Sequence, residues 1–229
     1  MCKKNGKIFV QDCKSTNFTF LNDKKLDPGV PMELKKEDMI KIGSTILKYL
    51  PAGELEIFML GSLENAAHTD PLTKAYNKGY VMESLEAEFK RARALHQEFA
   101  LIIFDLDFFK KINDNYGHDA GDYVLKEVAQ IVRTKILPKK AIFGRFGGEE
   151  FMILLPGSGL QEAAGVGESL RNTIEKHAFT YDGKKLPITT SVGVAEMTAD
   201  VDQPTMLFKL ADKAVYQSKH GGRNRVSQA

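Results

Sequence analysis

The stretch from residue 99 to residue 220 alternates short apolar runs with longer helical patterns, and this order constrains the fold more than any other feature. Four runs have the length and apolar content of strands: "FALIIFDLDFF", "AIFGRF", "FMILLP" and "ITTSVGVAEM". Two stretches between them have helical spacing: "AGDYVLKEVAQIVRTKIL" and "LQEAAGVGESLRNTIEKH". The order β-α-β-β-α-β predicts an α+β, ferredoxin-like domain with an antiparallel sheet and helices over one face.

Two further helical patterns flank this order. In "NKGYVMESLEAEFKRARAL", Val81, Leu85 and Phe89 recur at helical spacing, and Asn77 is a favourable N-cap residue. "TMLFKLADKAVYQSKH" keeps a helical pattern up to Gly221-Gly222, which is typical of a helix end. We therefore expect helices before the first strand and after the last of the four runs.

The N-terminal part of the chain has a different pattern. Residues 1–50 contain short alternating segments broken by turn residues, which predicts a small antiparallel β unit. Residues 51–68 favour an amphipathic connector helix before the domain of residues 69–229. Its apolar stripe consists of Leu55, Met59, Leu63 and Ala66. The stripe is too short to decide between packing on its own chain and forming a coiled coil.

Composition narrows the classes of partner and compartment. The formal charge of the 229 residues is +2, with 32 Lys and Arg spread among 30 acids, so neither nucleic acid nor an anionic membrane is the expected partner. Cys2 and Cys13 belong to no metal-binding pair and are typical of free thiols in a reducing cytosol. The longest apolar run, "ALIIF", is far shorter than a membrane span. A soluble, cytoplasmic protein is predicted.

Acidic residues follow two runs that the predicted topology makes neighbours. Asp105 ends the first strand run, and Glu149 and Glu150 lie in the turn between the hairpin strands. Carboxylates at the end of a buried strand are costly unless a positive charge neutralises them. All-oxygen ligation favours a hard divalent cation, so these residues predict a magnesium site.

The turn itself contains Gly147-Gly148. We expect both glycines to adopt the positive φ of a tight two-residue turn and to let a ligand lie against the backbone. An ordinary hairpin turn is the alternative, because Gly-Gly is common in that position.

Four motifs carry a resemblance to a known family. "DPLT", "FDLDFFKKINDNYGHDAGD", "RFGGEEF" and "ADKAVYQSKHGGRNRV" resemble, in order and spacing, the GGDEF-domain diguanylate cyclases over residues 66–227. The resemblance implies a palm-like fold and an enzyme that condenses two GTP into cyclic di-GMP and pyrophosphate. It also implies magnesium (or manganese) as the cofactor.

The family pattern assigns roles at the acidic cluster. It implies that Asp105, Glu149 and the carbonyl of Leu106 are the metal ligands, with Glu150 as an accessory carboxylate. Glu149 is then the candidate base, since it lies closest to the attacking 3′-hydroxyl in the family arrangement. Asp107 is interpreted as structural, because alternation along a strand explains its position without a metal.

Basic and polar residues of the same motifs match substrate-binding positions. Lys110, Lys219 and Arg223 correspond to cations on the triphosphate, with Lys110 also grouped with the catalytic residues. Asn113 and Asp122 correspond to guanine-binding positions. A carboxylate accepts from both N1–H and the exocyclic amine of guanine, a donor pair that adenine lacks. His118 either contacts the ribose or braces its loop.

Further implications concern assembly and control. Since each site binds one GTP and the product is two-fold symmetric, two chains must face each other as a homodimer. The family's inhibitory Arg-x-x-Asp pair is replaced by Pro138-Lys139-Lys140-Ala141, so no primary inhibitory site is expected. Two other classes stay open: an inactive GGDEF scaffold that binds GTP or cyclic di-GMP, and a template-dependent nucleotidyl transferase, which the balanced charge disfavours.

The N-terminal unit carries a second resemblance, to the later half of a forkhead-associated (FHA) domain. Its matching positions are Asp12, Ser15, Asn17, Thr19 and Asn22, with Phe18 in place of the usual glycine. The resemblance implies a phosphothreonine peptide or protein as a possible partner. The half that would hold the phosphate does not precede these residues, so a longer protein is expected.

Overall fold

The computed structural model describes residues 2–4, 7–15, 18–43, 45–51 and 68–229. It divides into two compact units, Met1–Glu64 and Asn65–Ala229. The predicted connector helix over 51–68, with its apolar stripe, lies outside the described residues except for its two ends. Over the described residues, no helix is long and apolar enough to cross a bilayer.

The described residues of the N-terminal unit form two small antiparallel sheets, as predicted. Its strands are β1 (Cys2–Lys4), β2 (Lys7–Val10), β3 (Thr19–Leu21), β4 (Lys24–Lys25), β5 (Met32–Glu33), β6 (Met39–Ile42) and β7 (Thr45–Lys48). One sheet has the order β1-β2-β5 and the other has the order β4-β3-β6-β7. The buried core of the described part consists of Val10, Leu26, Leu34 and Ile40.

Several FHA-like positions support turns in this unit. Asp12 is buried and accepts hydrogen bonds from the hydroxyls of Ser15 and Thr19, the latter at 2.8 Å. Asn22 accepts from the main-chain N–H of Met39 at 2.9 Å and donates to Asp38 at 2.8 Å. Asn17 lies outside the described residues.

The C-terminal unit contains the predicted helices and strands. Its helices are α1 (Lys78–Leu95), α2 (Phe109–Tyr116), α3 (His118–Ile131), α4 (Leu160–Lys176) and α5 (Pro204–His220), and a π-helical turn follows α3 over Val132–Ile136. Its strands are β8 (Phe99–Leu106), β9 (Ile142–Arg145), β10 (Glu150–Pro156), β11 (Thr180–Tyr181), β12 (Lys184–Lys185), β13 (Thr190–Glu196) and β14 (Val226–Gln228). Asn77 caps α1 by accepting from the N–H of Tyr80, and Gly221 is the C-cap of α5, as expected.

The main sheet has five strands in the order β14-β13-β8-β10-β9. The inner pairings are antiparallel, but β14 runs parallel to β13. The expectation of a purely antiparallel sheet is therefore wrong at this edge. The parallel pairing requires a crossover, which α5 provides between the two strands.

Helices cover both faces of the sheet, which corrects the expectation of helices over one face. Ile102 and Phe104 belong to one core cluster together with residues of α3 and α4. Leu101 and Ile103 belong to the other cluster together with residues of α1 and α5. All eight residues of β8 are buried. A strand that is apolar on both faces needs a helical layer on each.

The first strand run ends earlier than its pattern indicated. β8 stops at Leu106, and Phe108 takes a left-handed φ of 57° that turns the chain directly into α2. The sequence pattern extended the strand to Phe109 and did not predict α2. The hairpin of β11 and β12 and the edge strand β14 were likewise not predicted.

Gly193 determines how closely α5 approaches the sheet. A Cβ at this position of β13 would meet the main chain of Ala211 and Val215, and it would also meet the Val215 side chain. Only glycine permits such an approach of helix to strand.

Candidate active site

The register of β8 and β10 brings the predicted carboxylates together. Glu150 is the direct partner of Asp105, and the N–H of Leu106 donates to the carbonyl of Glu149 at 3.3 Å. Because the N–H and C=O of an extended residue point to the same side, the Leu106 carbonyl faces this turn as well. The predicted ligand set therefore lies at one end of two neighbouring strands.

Asp105 is buried and forms an ion pair with Lys219 of α5. The Nζ atom of Lys219 lies 2.7 Å from Oδ2 of Asp105. Burial raises the pKa of the Asp105 carboxyl, the contact with Lys219 lowers it, and the neighbouring Glu150 and Asp107 raise it further. The position thus binds a positive charge at the bottom of the site.

The glycine turn differs from the expected two-residue hairpin. The hairpin pairing ends at Phe151 and Arg145, and the N–H groups of Phe146 and Gly147 both donate to the carbonyl of Glu150. Neither Gly147 nor Gly148 has a positive φ, so that expectation is wrong. Their small size has another role: a Cβ on Gly147 would meet the Glu150 carboxylate, and the space beside Gly148 is open.

Arg145 holds this turn from one side. Its Nη2 and Nε atoms donate to the carbonyl of Gly148 at 2.7 and 3.1 Å, and its Nη1 pairs with Asp70 at 3.1 Å. Sequence reasoning quoted both motifs but assigned neither residue a role. The sequence feature that could have indicated this contact is the pair of opposite charges, Asp70 and Arg145, in two motifs of one family that lie 75 positions apart.

A cleft of about 430 Å³ adjoins the turn. Five of the predicted site residues line it: Lys110, Asn113, His118, Asp122 and Glu149. Lys110 and Asn113 come from α2, His118 and Asp122 come from α3, and Glu149 comes from the turn. The fold therefore gathers residues of three separate segments around one concave space.

The other predicted cations occupy different positions. Lys219 contacts Asp105 rather than lining the cleft. The guanidinium of Arg223 lies 4.4 Å from the ring centre of Phe108, and Lys111 approaches the same ring at 4.6 Å. These contacts place positive charge around the β8–α2 turn, next to the acidic cluster.

The contacts of Asp107 hold neighbouring segments together. It is buried and accepts hydrogen bonds from the hydroxyls of Thr189 and Ser191 at 2.7 and 2.6 Å. It also accepts from the main-chain N–H of Asn224 at 3.0 Å. This last bond fixes the segment that carries Arg223, where both Arg223 and Asn224 have left-handed φ angles of 65° and 46°.

The acidic cluster fits a hard divalent cation by its chemistry. Asp105, Glu149 and the Leu106 carbonyl offer only oxygen donors, and Asp105 already binds an ammonium group. Within the described residues, however, no three His, Cys, Asp or Glu side chains are grouped as a ready metal site. A cation here would rely on two carboxylates and a backbone carbonyl, and it would compete with Lys219 for Asp105.

Comparisons with known families agree with this arrangement. Residues 67–225 match the family model described as "Diguanylate cyclase, GGDEF domain". The chain belongs to the GGDEF family. Residues 1–43 match the FHA domain model, so an FHA segment precedes the GGDEF domain.

Two curated relatives are similar to the GGDEF domain of this chain. Diguanylate cyclase A of Treponema denticola is 41% identical over 131 residues, covering 57% of this chain and 35% of the relative. Response regulator PleD of Caulobacter vibrioides is 40% identical over 171 residues, covering 72% of this chain and 36% of the relative. This chain thus spans about a third of the length of these curated relatives.

A solved structure shares the fold. The coiled coil and GGDEF domain of DgcB from Caulobacter crescentus, solved in complex with c-di-GMP, superimposes with a TM-score of 0.72 at 28% identity. The match covers 77% of this chain and 94% of the DgcB chain. The palm-like fold predicted for the GGDEF domain is confirmed.

Proposed function

We propose that this protein is a diguanylate cyclase that condenses two GTP into cyclic di-GMP and pyrophosphate. The observation that carries the proposal is the convergence of Lys110, Asn113, His118, Asp122 and Glu149 on one cleft beside Asp105. Among its relatives, diguanylate cyclase A of Treponema denticola supports the same activity.

The cleft would bind one guanine base through Asn113 and Asp122. The Asp122 carboxylate is exposed in the cleft and would accept from N1–H and the exocyclic amine of the base. The Asn113 amide, which lines the same cleft from α2, would complete the edge recognition, and His118 would contact the ribose. This arrangement favours GTP over ATP, because adenine lacks that donor pair.

The triphosphate would extend toward the β8–α2 turn. Lys110 lines the cleft on one side of this turn. Lys219, which contacts Asp105, and Arg223, which contacts Phe108, lie on the other side. Their positive charges would stabilise the departing pyrophosphate. Lys219 would exchange its contact with Asp105 for the phosphates when substrate enters.

Glu149 is the proposed general base for the 3′-hydroxyl of the second nucleotide. Two magnesium (or manganese) ions bound by Asp105, Glu149 and the Leu106 carbonyl, with Glu150 as accessory ligand, would neutralise the α-phosphate and acidify that hydroxyl. Glu150 keeps the local field negative and so favours cation binding. The open space beside Gly148 would leave room for the second nucleotide.

The second nucleotide comes from a second copy of the chain in this proposal. One cleft binds one GTP, and a two-fold symmetric product requires two such sites to face each other. The activity per chain should therefore rise with protein concentration until the dimer is saturated.

The FHA segment is the proposed input for control. In a protein that carries the complete FHA domain, a bound phosphothreonine peptide would change the dimer equilibrium only by its different affinity for the two states. A fluorescent phosphothreonine peptide, with its unphosphorylated form as the control, tests binding by anisotropy. The same peptides added to the cyclase assay test control of the rate.

The central test is incubation with GTP and Mg²⁺, followed by nucleotide chromatography. Wild-type protein should form cyclic di-GMP, and Glu149→Gln should lower kcat at least about 100-fold while the fold stays intact. Glu162→Gln, in the exposed first turn of α4, is the matched control. A wild-type protein that binds GTP without forming product would instead support the inactive scaffold.

A further inference from the structure

The carbonyl of Gly148, which directly precedes Glu149 in the chain, has an unusual partner. It accepts two hydrogen bonds from one guanidinium, from Nη2 of Arg145 at 2.7 Å and from Nε at 3.1 Å. Gly148 is exposed, and its own lack of a side chain leaves the turn without packing there. The position of this peptide therefore depends on Arg145.

Arg145 is in turn held by Asp70. Nη1 of Arg145 lies 3.1 and 3.3 Å from the two carboxylate oxygens, and both side chains are 17% exposed. Oδ1 of Asp70 also accepts from the N–H and the hydroxyl of Thr73 at 2.8 and 2.6 Å. Burial alone would raise the pKa of Asp70, but the hydrogen bonds from Thr73 and Arg145 outweigh it and hold the pKa below its usual value.

Main-chain hydrogen bonds also join the segment that carries Asp70 to strand β9. The N–H of Arg145 donates to the carbonyl of Tyr76 at 2.8 Å, and the N–H of Tyr76 donates to Phe143 at 3.0 Å. The N–H of Asp70 donates to Ala75 at 2.8 Å. Asp70 is thus a fixed anchor rather than a mobile surface carboxylate.

We propose that Asp70 and Arg145 are positioning residues that set the location of Glu149, and with it the metal affinity and turnover of the site. All three guanidinium nitrogens of Arg145 are engaged with Gly148 or Asp70. The planar fork is what allows one side chain to hold a carbonyl and a carboxylate at once, and lysine cannot replace it. The turnover part of this proposal rests on the proposed cyclase function.

Arg145→Lys keeps the charge but removes the fork. Because a displacement of about 1 Å at a reacting group can cost about 100-fold, we expect kcat to fall about 10- to 100-fold. The GTP KM should change less than about 3-fold, because positioning affects the transition state rather than substrate binding. The activity curve against Mg²⁺ should move to about 10-fold higher concentration, as second-layer partners of metal ligands typically affect affinity by that amount.

Asp70→Asn and the double variant test whether the two residues act as one device. The kcat of the double variant should be no lower than that of the less active single variant, since both changes disconnect the same contact. Arg91→Lys is the matched control, because Arg91 pairs with Glu88 at 3.4 Å on the exposed side of α1, away from the site. The control should match wild type in kcat and in its Mg²⁺ curve.

Two readouts do not depend on turnover. Mn²⁺ binding, followed by electron paramagnetic resonance, is measured with guanosine α,β-methylene triphosphate, whose bridging carbon blocks release of pyrophosphate. Arg145→Lys should weaken Mn²⁺ binding about 10-fold relative to Arg91→Lys. Hydrogen exchange at Phe146 and Gly147, whose N–H groups bond to Glu150, should become faster in the same variant.

The outcomes separate this proposal from the proposed function. Wild-type protein that binds Mn²⁺ but makes no product defeats the cyclase function, while the Mn²⁺ and exchange series still decide the positioning role. An Arg145→Lys protein with a raised GTP KM and unchanged kcat would mean that Arg145 binds substrate directly. Unchanged Mn²⁺ affinity, or absence of Mn²⁺ binding by wild type, also overturns the positioning proposal.

Discussion

The ammonium of Lys219 lies 2.7 Å from the carboxylate of Asp105, at the position where the proposed metal would bind. The side chain of Asp105 is 9% exposed and that of Lys219 is 34% exposed, so the pair is partly shielded from water. An internal cation of this kind neutralises the carboxylate, and in the proposed function a metal and a nucleotide would replace it. Asp105, the proposed metal ligand, and Lys219, the proposed phosphate-binding residue, are therefore paired with each other before substrate binds.

Lys219→Met should reveal this linkage as a metal-dependent stability. Without its partner, Asp105 is left buried and unneutralised, and the free energy of unfolding should fall by about 1 kcal/mol in chelator. Mg²⁺ should recover most of the loss. Urea unfolding with chelator and with Mg²⁺ measures both values, with Lys213→Met on the exposed side of α5 as the control. Equal stability of the two variants in chelator contradicts the prediction.

Asp107→Asn should damage folding more than metal dependence. The two carboxylate oxygens of Asp107 accept from the hydroxyls of Thr189 and Ser191 and from the N–H of Asn224, and an asparagine has only one oxygen for these three donors. We expect the free energy of unfolding to fall by about 2 kcal/mol. The GTP KM should rise because Arg223 loses its fixed segment, whereas the Mg²⁺ curve should not move. A large Mg²⁺ shift without loss of stability would identify Asp107 as a ligand instead.

Asp122→Asn should remove discrimination by the guanine amine. The wild-type protein should turn over ITP, which lacks that amine, with kcat/KM about 10-fold or more below that for GTP. In the variant this ratio should approach one, because the amide offers only one acceptor to this edge. Asp119→Asn, on the exposed first turn of α3, is the neighbouring control. A ratio that stays at the wild-type value would assign guanine recognition to other residues.

Product inhibition through the primary family site should be absent. Pro138 and Ala141 occupy the positions of the inhibitory arginine and aspartate, and the exposed Lys139 and Lys140 cannot form a bidentate contact with phosphate and guanine. Initial rates at several GTP concentrations, with added cyclic di-GMP, should show only weak competition. Tight non-competitive inhibition would indicate a product site elsewhere on the molecule.

The sequence predicted the site better than it predicted the elements around it. Strand order alone made Asp105 and Glu150 neighbours, and the structure pairs them directly. The helix α2 was not predicted because "FDLDFF" has the alternation of a strand, and the left-handed turn at Phe108 leaves no compositional signal. A non-glycine residue at positive φ is held by its surroundings rather than by its own preference.

Contacts between residues far apart in the sequence were also not predicted. The contact of Asp70 with Arg145 joins positions 75 apart, and neither residue stands out in its own segment. The second helical layer was missed for a related reason: the run of apolar residues from Phe99 to Phe104 in β8 indicates burial but does not indicate what covers each face. Local sequence patterns indicate secondary structure, whereas the tertiary fold determines which residues come into contact.

Gly193 shows how far the site extends into the core. Because α5 lies with its main chain directly on this residue, the depth of the helix fixes the height of Lys219 above Asp105. Alanine at 193 would lift the helix and lengthen that ion pair, although no substrate could ever touch the added methyl group. A residue that permits close packing thereby also sets the electrostatic environment of the Asp105 carboxylate.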